Sequence, residues 1–151
     1  MNMNNVSFGA KNPKEKYKEV LAEYSDFLKD DTISFKANNI CASIWELADW
    51  VWDRKDDLGT FRLSLFEKCP ELKIMHDIAN SKKHKTLNRP KTFIKKAKAT
   101  GSFSSDFSSN FDNHRLVVVL EDGSQYNLTY ILEKTIAFWS EYFNQNPIVY
   151  E

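Results

Sequence analysis

From Pro13 to Asp30 the apolar residues recur every three or four positions. Tyr17, Val20, Leu21, Tyr24, Phe27 and Leu28 fall on one side of a helix. The stretch DDTISFKANN interrupts that period. A second helix is expected from about Asn38 to Asp53, with Ile40, Ile44, Leu47, Ala48, Val51 and Trp52 as its apolar stripe. Trp45 and Trp50 widen the stripe beyond one face, which predicts a central helix touched on several sides. RKDDLGT reads as a turn, and Thr60 is the expected N-cap of a short helix running to Lys68. Pro70 then occupies the first turn of a further helix, whose N-terminal dipole Glu71 complements.

Beyond Asn88 the pattern changes. PKTFIKKAKATGSFSSDFSSNFDNH carries no helical period, only a β-like stretch near Phe93 and a Ser/Phe-rich loop. In RLVVVLEDGSQYNL a β-branched run meets Asp122-Gly123, the favoured pair of a type I′ turn, and a return strand follows. A hairpin is therefore expected over Val117 to Leu128, with both turn residues at positive φ. TYILEKTIAFWSEYF closes the chain as a helix with Thr129 as N-cap and Ile131, Leu132, Thr135, Ile136, Trp139 and Phe143 inward. The prediction is an α+β fold: mainly a helical bundle of four or five helices, with a small antiparallel β-hairpin sheet before the C-terminal helix. Residues 1–12 read as a flexible leader, 13–146 as one domain and 147–151 as a tail.

Composition narrows the function classes. At 151 residues the chain is long enough to bury a core without staples, and its four glycines and four prolines argue against a turn-rich sandwich. No run of about 20 apolar residues exists, so no membrane partner is expected. The N-terminus lacks the apolar stretch of a secretory signal. Cys41 and Cys69 sit in apolar patterns and read as reduced, buried thiols of a cytoplasmic protein. Neither metal-ligand spacing nor a glycine-rich phosphate loop occurs, so no cofactor or metal is expected.

Charge changes the picture more. The net charge is zero, yet Ile78 to Ser105 contains no Asp or Glu and carries +8, leaving −8 for the remainder. The cations are Lys82, Lys83, Lys85, Arg89, Lys91, Lys95, Lys96 and Lys98. A segment so unbalanced predicts a basic surface for an anionic partner such as RNA.

The helix after Pro70 ends in HDIANSKKH (His76 to His84). On a helical wheel, Leu72, Ile74, Met75, Ile78 and Ala79 share one arc, and Lys73, Asp77, Asn80, Ser81 and His84 the other. Asp77, Asn80 and His84 stack along one line. That face is expected to be exposed or at a subunit interface, because burying both arcs would strand a carboxylate and an imidazole.

CPELKIMHDIANSKKHKTLNR, with the aromatic ADWVW helix upstream, resembles the terminal helix of HEPN-like helical bundles of bacteria and phages. The resemblance covers roughly residues 38–90. HEPN nucleases act as dimers and cleave RNA without metal, through an Arg, a following polar residue such as Asn, and a His a few positions on. Asn80 and His84 match the Asn-x-x-x-His half, while Ala79 stands where the Arg belongs and Arg89 follows the histidine. The resemblance thus implies an accessory or interaction domain, homodimeric and non-catalytic, in a phage-defence setting. The alternative it implies is a metal-independent ribonuclease of toxin or defence type, with His84 as acid or base beside Asn80 and Asp77. Lys83 could then supply charge, but not the planar two-pronged phosphate grip of Arg.

Three further constellations have a functional and a plainer reading. Cys41 or Cys69 with His76 or His84 could form a Cys–His pair, or the thiols could simply be core. Glu46, Asp49 and Asp53 form a row on one helix, either a cation site or a solvated face. Phe103, Phe107 and Phe111 could stack unpaired bases or plug the core from a loop.

Overall fold

The first helix begins where side chains can satisfy its unpaired N–H groups. Asn12 caps α1 (Pro13–Lys29) by accepting the Glu15 N–H at 2.8 Å, and Pro13 needs no N–H at that position. Glu15 in turn accepts the Lys11 N–H at 2.7 Å. The computed structural model describes residues 8–83, 90–91, 94–100 and 115–147. Order extends upstream of Pro13, since Ala10 is buried and its N–H donates to Glu19 Oε1 at 2.7 Å. Two carboxylates of α1 thus hold the Ala10 and Lys11 N–H groups just before the helix.

The second helix, α2 (Ser34–Val51), starts a turn earlier than its apolar stripe suggested. Lys36 bridges Asp26 and Asp30 at 3.5 and 3.6 Å, tying the new helix to the end of α1. Its central position is as expected: Ile40, Cys41, Ile44, Trp45, Leu47, Ala48 and Val51 are all buried, against α1, α4 (Leu72–Lys83) and α5 (Leu128–Gln145). The short α3 (Leu58–Lys68) is capped by Asp57, not Thr60. The Asp57 carboxylate accepts the Gly59 and Thr60 N–H groups at 2.9 and 3.2 Å as well as the Thr60 hydroxyl. Thr60 serves the cap from inside the helix rather than forming it.

Three antiparallel strands precede α5 in the order β1-β2-β3: β1 (Ile94–Thr100), β2 (Arg115–Leu120) and β3 (Gln125–Asn127). The hairpin lies where the sequence places it, but its turn is of another type. The Gly123 N–H donates to Leu120 O at 3.0 Å, and Leu120 N–H to Ser124 O at 2.9 Å. Gly123 has φ +90, whereas Asp122 has no positive φ. This is a type I turn followed by a left-handed glycine, the three-residue alternative to type I′. Asp122 is occupied differently, accepting the Ser124 N–H at 2.8 Å.

One buried cluster draws on all five helices and β2, from Val20 and Phe27 of α1 to Leu132 and Trp139 of α5. The architecture is α+β and mainly helical, with five helices and a small antiparallel sheet before the last. No described helix is long and apolar enough to cross a membrane.

Candidate nucleic-acid interface

The acid-free segment supplies an edge strand. IKKAKAT has little intrinsic preference for a strand, and β1 exists because it pairs with the β-branched run of β2. Lys96 lies opposite Val119, and Lys98 opposite Val117; on the far side of β2, Val119 faces Gln125 and Val117 faces Asn127. Side chains alternate along a strand, so Arg115 joins Val117 and Val119 on the same face. That face therefore reads Lys96, Lys98, Arg115, Gln125 and Asn127 around two valines, with no carboxylate among these strand positions. The opposite face carries Leu116, Val118 and Leu120, which pack on the helical core. Ala37 and Cys41 of α2, Ile78 of α4 and Leu128 of α5 line one small cavity of 160 Å³ together with Lys98 of β1 and Val117 and Val118 of β2.

Lys96 and Arg115 are exposed and Lys98 is half-buried. Lys95 falls at the irregularity between Ile94 and Lys96, which takes it out of this alternation. Lys82, Lys83 and Lys91 are exposed too, but lie elsewhere, the first two in the last turn of α4. Among the described residues, no acid comes within 4 Å of the Lys82, Lys83, Lys95, Lys96 or Lys98 ammonium groups. His84, Lys85 and Arg89 lie outside the described residues, as do Phe103, Phe107 and Phe111. The sequence reading missed Arg115, which stands beyond the acid-free window and joins the lysines only through strand register.

The expected wet face of α4 is corrected at Asp77, while Asn80 is half-buried and Ser81 exposed. Asp77 is fully buried and His76 is 6% exposed, so burial continues unbroken from Ile74 to Ala79. What rescues Asp77 is backbone from a distant turn: the Lys91 N–H donates to its two oxygens at 2.8 and 3.0 Å. His76 Nδ1 donates to Asp77 Oδ1 at 2.7 Å, leaving Nε2 to accept from Asn80 Nδ2 at 3.1 Å. The last acid before the basic window thus anchors the chain that leads into β1.

Asn80, Lys82 and Lys83 line a polar cleft of 250 Å³ with Trp45, Asp49 and Arg62. Trp45 stacks on Phe66 and meets His76 edge-on, with centroids 5.3 and 5.2 Å away. Arg62 donates from Nη2 to Asp49 Oδ1 at 2.9 Å, and its guanidinium lies 5.3 Å from the Trp45 ring centre. Glu46 pairs with Lys16 at 3.3 Å, and Asp53 accepts the Lys55 N–H at 2.9 Å. The expected one-helix row is corrected, since α2 ends at Val51 before Asp53; Glu46, Asp49 and Asp53 are each engaged separately, and the described residues hold no cluster of three His, Cys, Asp or Glu able to grip a metal.

Both cysteines are free and buried. Burial, with Glu23 adding to it, pushes the Cys41 thiol far above its ordinary value. Burial first, then the Glu71 charge, pushes Cys69 up to about 11, and its Sγ approaches Glu71 Oε2 at 3.8 Å. Neither thiol is activated, which favours the core reading over a Cys–His nucleophile. No family model matches the chain, and no curated protein or solved structure matches it.

Proposed function

We propose that this protein is a non-catalytic interaction domain whose outer sheet face binds an anionic strand, RNA being the fitting partner. The observation that carries the reading is the strand register. It sets Lys96, Lys98 and Arg115 on one face with Gln125 and Asn127, and none of the strand positions on that face is a carboxylate. Three cations can track a phosphate backbone, and the two amides can contact sugars and bases, without demanding a sequence. The test is fluorescence anisotropy with short single-stranded RNAs of unrelated sequence. Similar affinities that all fall steeply with added salt are expected; salt-insensitive or absent binding would remove the proposal.

Resemblance to HEPN-like bundles supplies the expected setting, a cytoplasmic accessory domain acting as a homodimer in phage defence. Sedimentation at working concentration tests the dimer, and a persistent monomer refutes it. The rival ribonuclease reading gave His84 two helpers, Asn80 and Asp77. Asn80 is engaged with His76, and Asp77 with His76 and the Lys91 N–H. Incubation with RNA in a chelator should therefore leave the RNA intact, and cleavage that disappears in His84→Ala would restore the enzyme.

A further inference from the structure

The cleft between α2, α3 and α4 has a chemistry of its own. Arg62 spends one N–H on Asp49, while its Nε is buried with no hydrogen-bond partner. A buried, unpaired donor is unfavourable, and a guanidinium fork is relieved by turning towards an acceptor with two oxygens. The Trp45 ring already supports the guanidinium on one side. Across the cleft, Asn80 is held by His76, and His76 by buried Asp77, so the amide is pre-positioned rather than mobile. Its second N–H remains to serve a ligand. Lys82 and Lys83 line the cleft with no described acid within 4 Å of their ammonium groups, and Glu46, which also lines it, pairs with Lys16.

We propose that this cleft binds a single phosphate-type oxyanion, with Arg62, Asn80, Lys82 and Lys83 as its donors. The volume of 250 Å³ lies below the roughly 300–1,000 Å³ of sites that enclose whole small molecules, so it takes one charged group. A tetrahedral anion suits it because the donors arrive from two helices at different angles, and a planar carboxylate would engage the Arg62 fork alone. Asp49 is then a competitor: it holds Arg62 in the empty cleft and must yield part of that grip when the anion enters.

The competition gives a signed test. Isothermal titration at low ionic strength uses inorganic phosphate, adenosine monophosphate and, as control, acetate. Phosphate should bind and acetate should not. Arg62→Gln should weaken phosphate binding about tenfold or more, the effect of losing one charge-assisted bond. Asp49→Asn should tighten it several-fold, a gain that a merely structural role for Asp49 does not produce. Lys83→Gln, at an exposed position, should show the same direction of loss if Arg62→Gln fails to fold. Adenosine monophosphate binding that an RNA oligonucleotide cannot displace identifies a free phosphomonoester as ligand; displacement identifies a strand phosphate. Either outcome supports the site. Absent phosphate binding, equal binding of acetate, or no gain in folded Asp49→Asn overturns it. So does loss of phosphate binding in Lys96→Glu/Lys98→Glu, which would place the anion on the sheet.

Discussion

The sheet face of Lys96, Lys98 and Arg115 and the α2–α3–α4 cleft both gather cations, but no strand position on that face is a carboxylate, whereas Glu46 and Asp49 line the cleft. On the sheet, Lys96, Lys98 and Arg115 stand among amides and valines. In the cleft, Arg62 is paired with Asp49, and Glu46 is turned towards Lys16. Exposed cations such as Lys96 and Arg115 attract a polyanion at a distance and are screened by salt. A cleft of mixed charge attracts little at long range and selects by geometry at close range. The same residue types therefore predict two behaviours, one diffuse and salt-sensitive, the other local and shape-dependent.

Asp77 joins the two regions, and altering it should give the largest effect. Its carboxylate holds His76 on the cleft side and the Lys91 N–H on the way to β1. Removing a buried, multiply bonded carboxylate leaves its donors unpaired, so Asp77→Ala should cost about 3–5 kcal/mol. That is a fall in Tm of about 2–4 °C per kcal/mol for a chain this size. A Tm shift of only a degree or two would mean that the anchor carries nothing.

Next comes Lys96→Glu/Lys98→Glu, which reverses two charges on one face. RNA affinity should drop by well over tenfold for every sequence while Tm barely moves. A loss confined to some RNA sequences would point to base reading in place of backbone attraction. Lys95→Glu, off the alternating face, should cost clearly less, and an equal loss would mean that register does not select the contacting lysines.

Gly123→Ala should destabilise by about 1–2 kcal/mol. The position has φ +90 and open space around the added methyl group, so the whole effect is backbone strain. RNA binding should survive at temperatures below the lowered Tm. The smallest effect concerns acid. Hydrogen bonds from the Thr60 hydroxyl, then the Gly59 and Thr60 N–H groups, hold the Asp57 carboxyl below its usual range; the Ser124 hydroxyl and N–H do so for Asp122. Both pKa values are depressed on folding, so their support is present above the ordinary carboxylate range and lost as pH falls through the lowered values. Asp57→Asn should flatten that part of the acid dependence of Tm, and an unchanged profile would show the cap to be idle.

The helices were largely legible, because most bury an apolar stripe whose period survives in the sequence. Trp45 and Trp50 gave away the central position of α2 by exceeding one face. The hairpin was legible from Asp122-Gly123, but its turn type was not, since the Asp122 side chain bonds Ser124 and relieves it of positive φ. Strand β1 was visible only as a hint near Phe93; lysine and alanine make a strand here because β2 provides the partner. The site was harder still. The wheel of α4 assigned Asp77 to solvent because its real partner, the Lys91 N–H, lies 14 residues away and belongs to the backbone. No side-chain pattern encodes such a contact. The unbalanced charge of the basic window was plain, yet which lysines act together, and that Arg115 joins them, depended on register.

If the cations sharing the outer sheet face act as one phosphate-tracking surface, they must release counterions together when RNA binds. The quantity to measure is the slope of log affinity for single-stranded RNA against log salt, in the wild-type protein and in Lys96→Gln/Lys98→Gln/Arg115→Gln. Each lost phosphate contact should lower the slope by roughly 0.7–1. The triple variant should therefore lose about 2–3 of slope with its fold intact. A variant that binds more weakly but keeps the wild-type slope, or binds unchanged, would show that these three residues do not track phosphates.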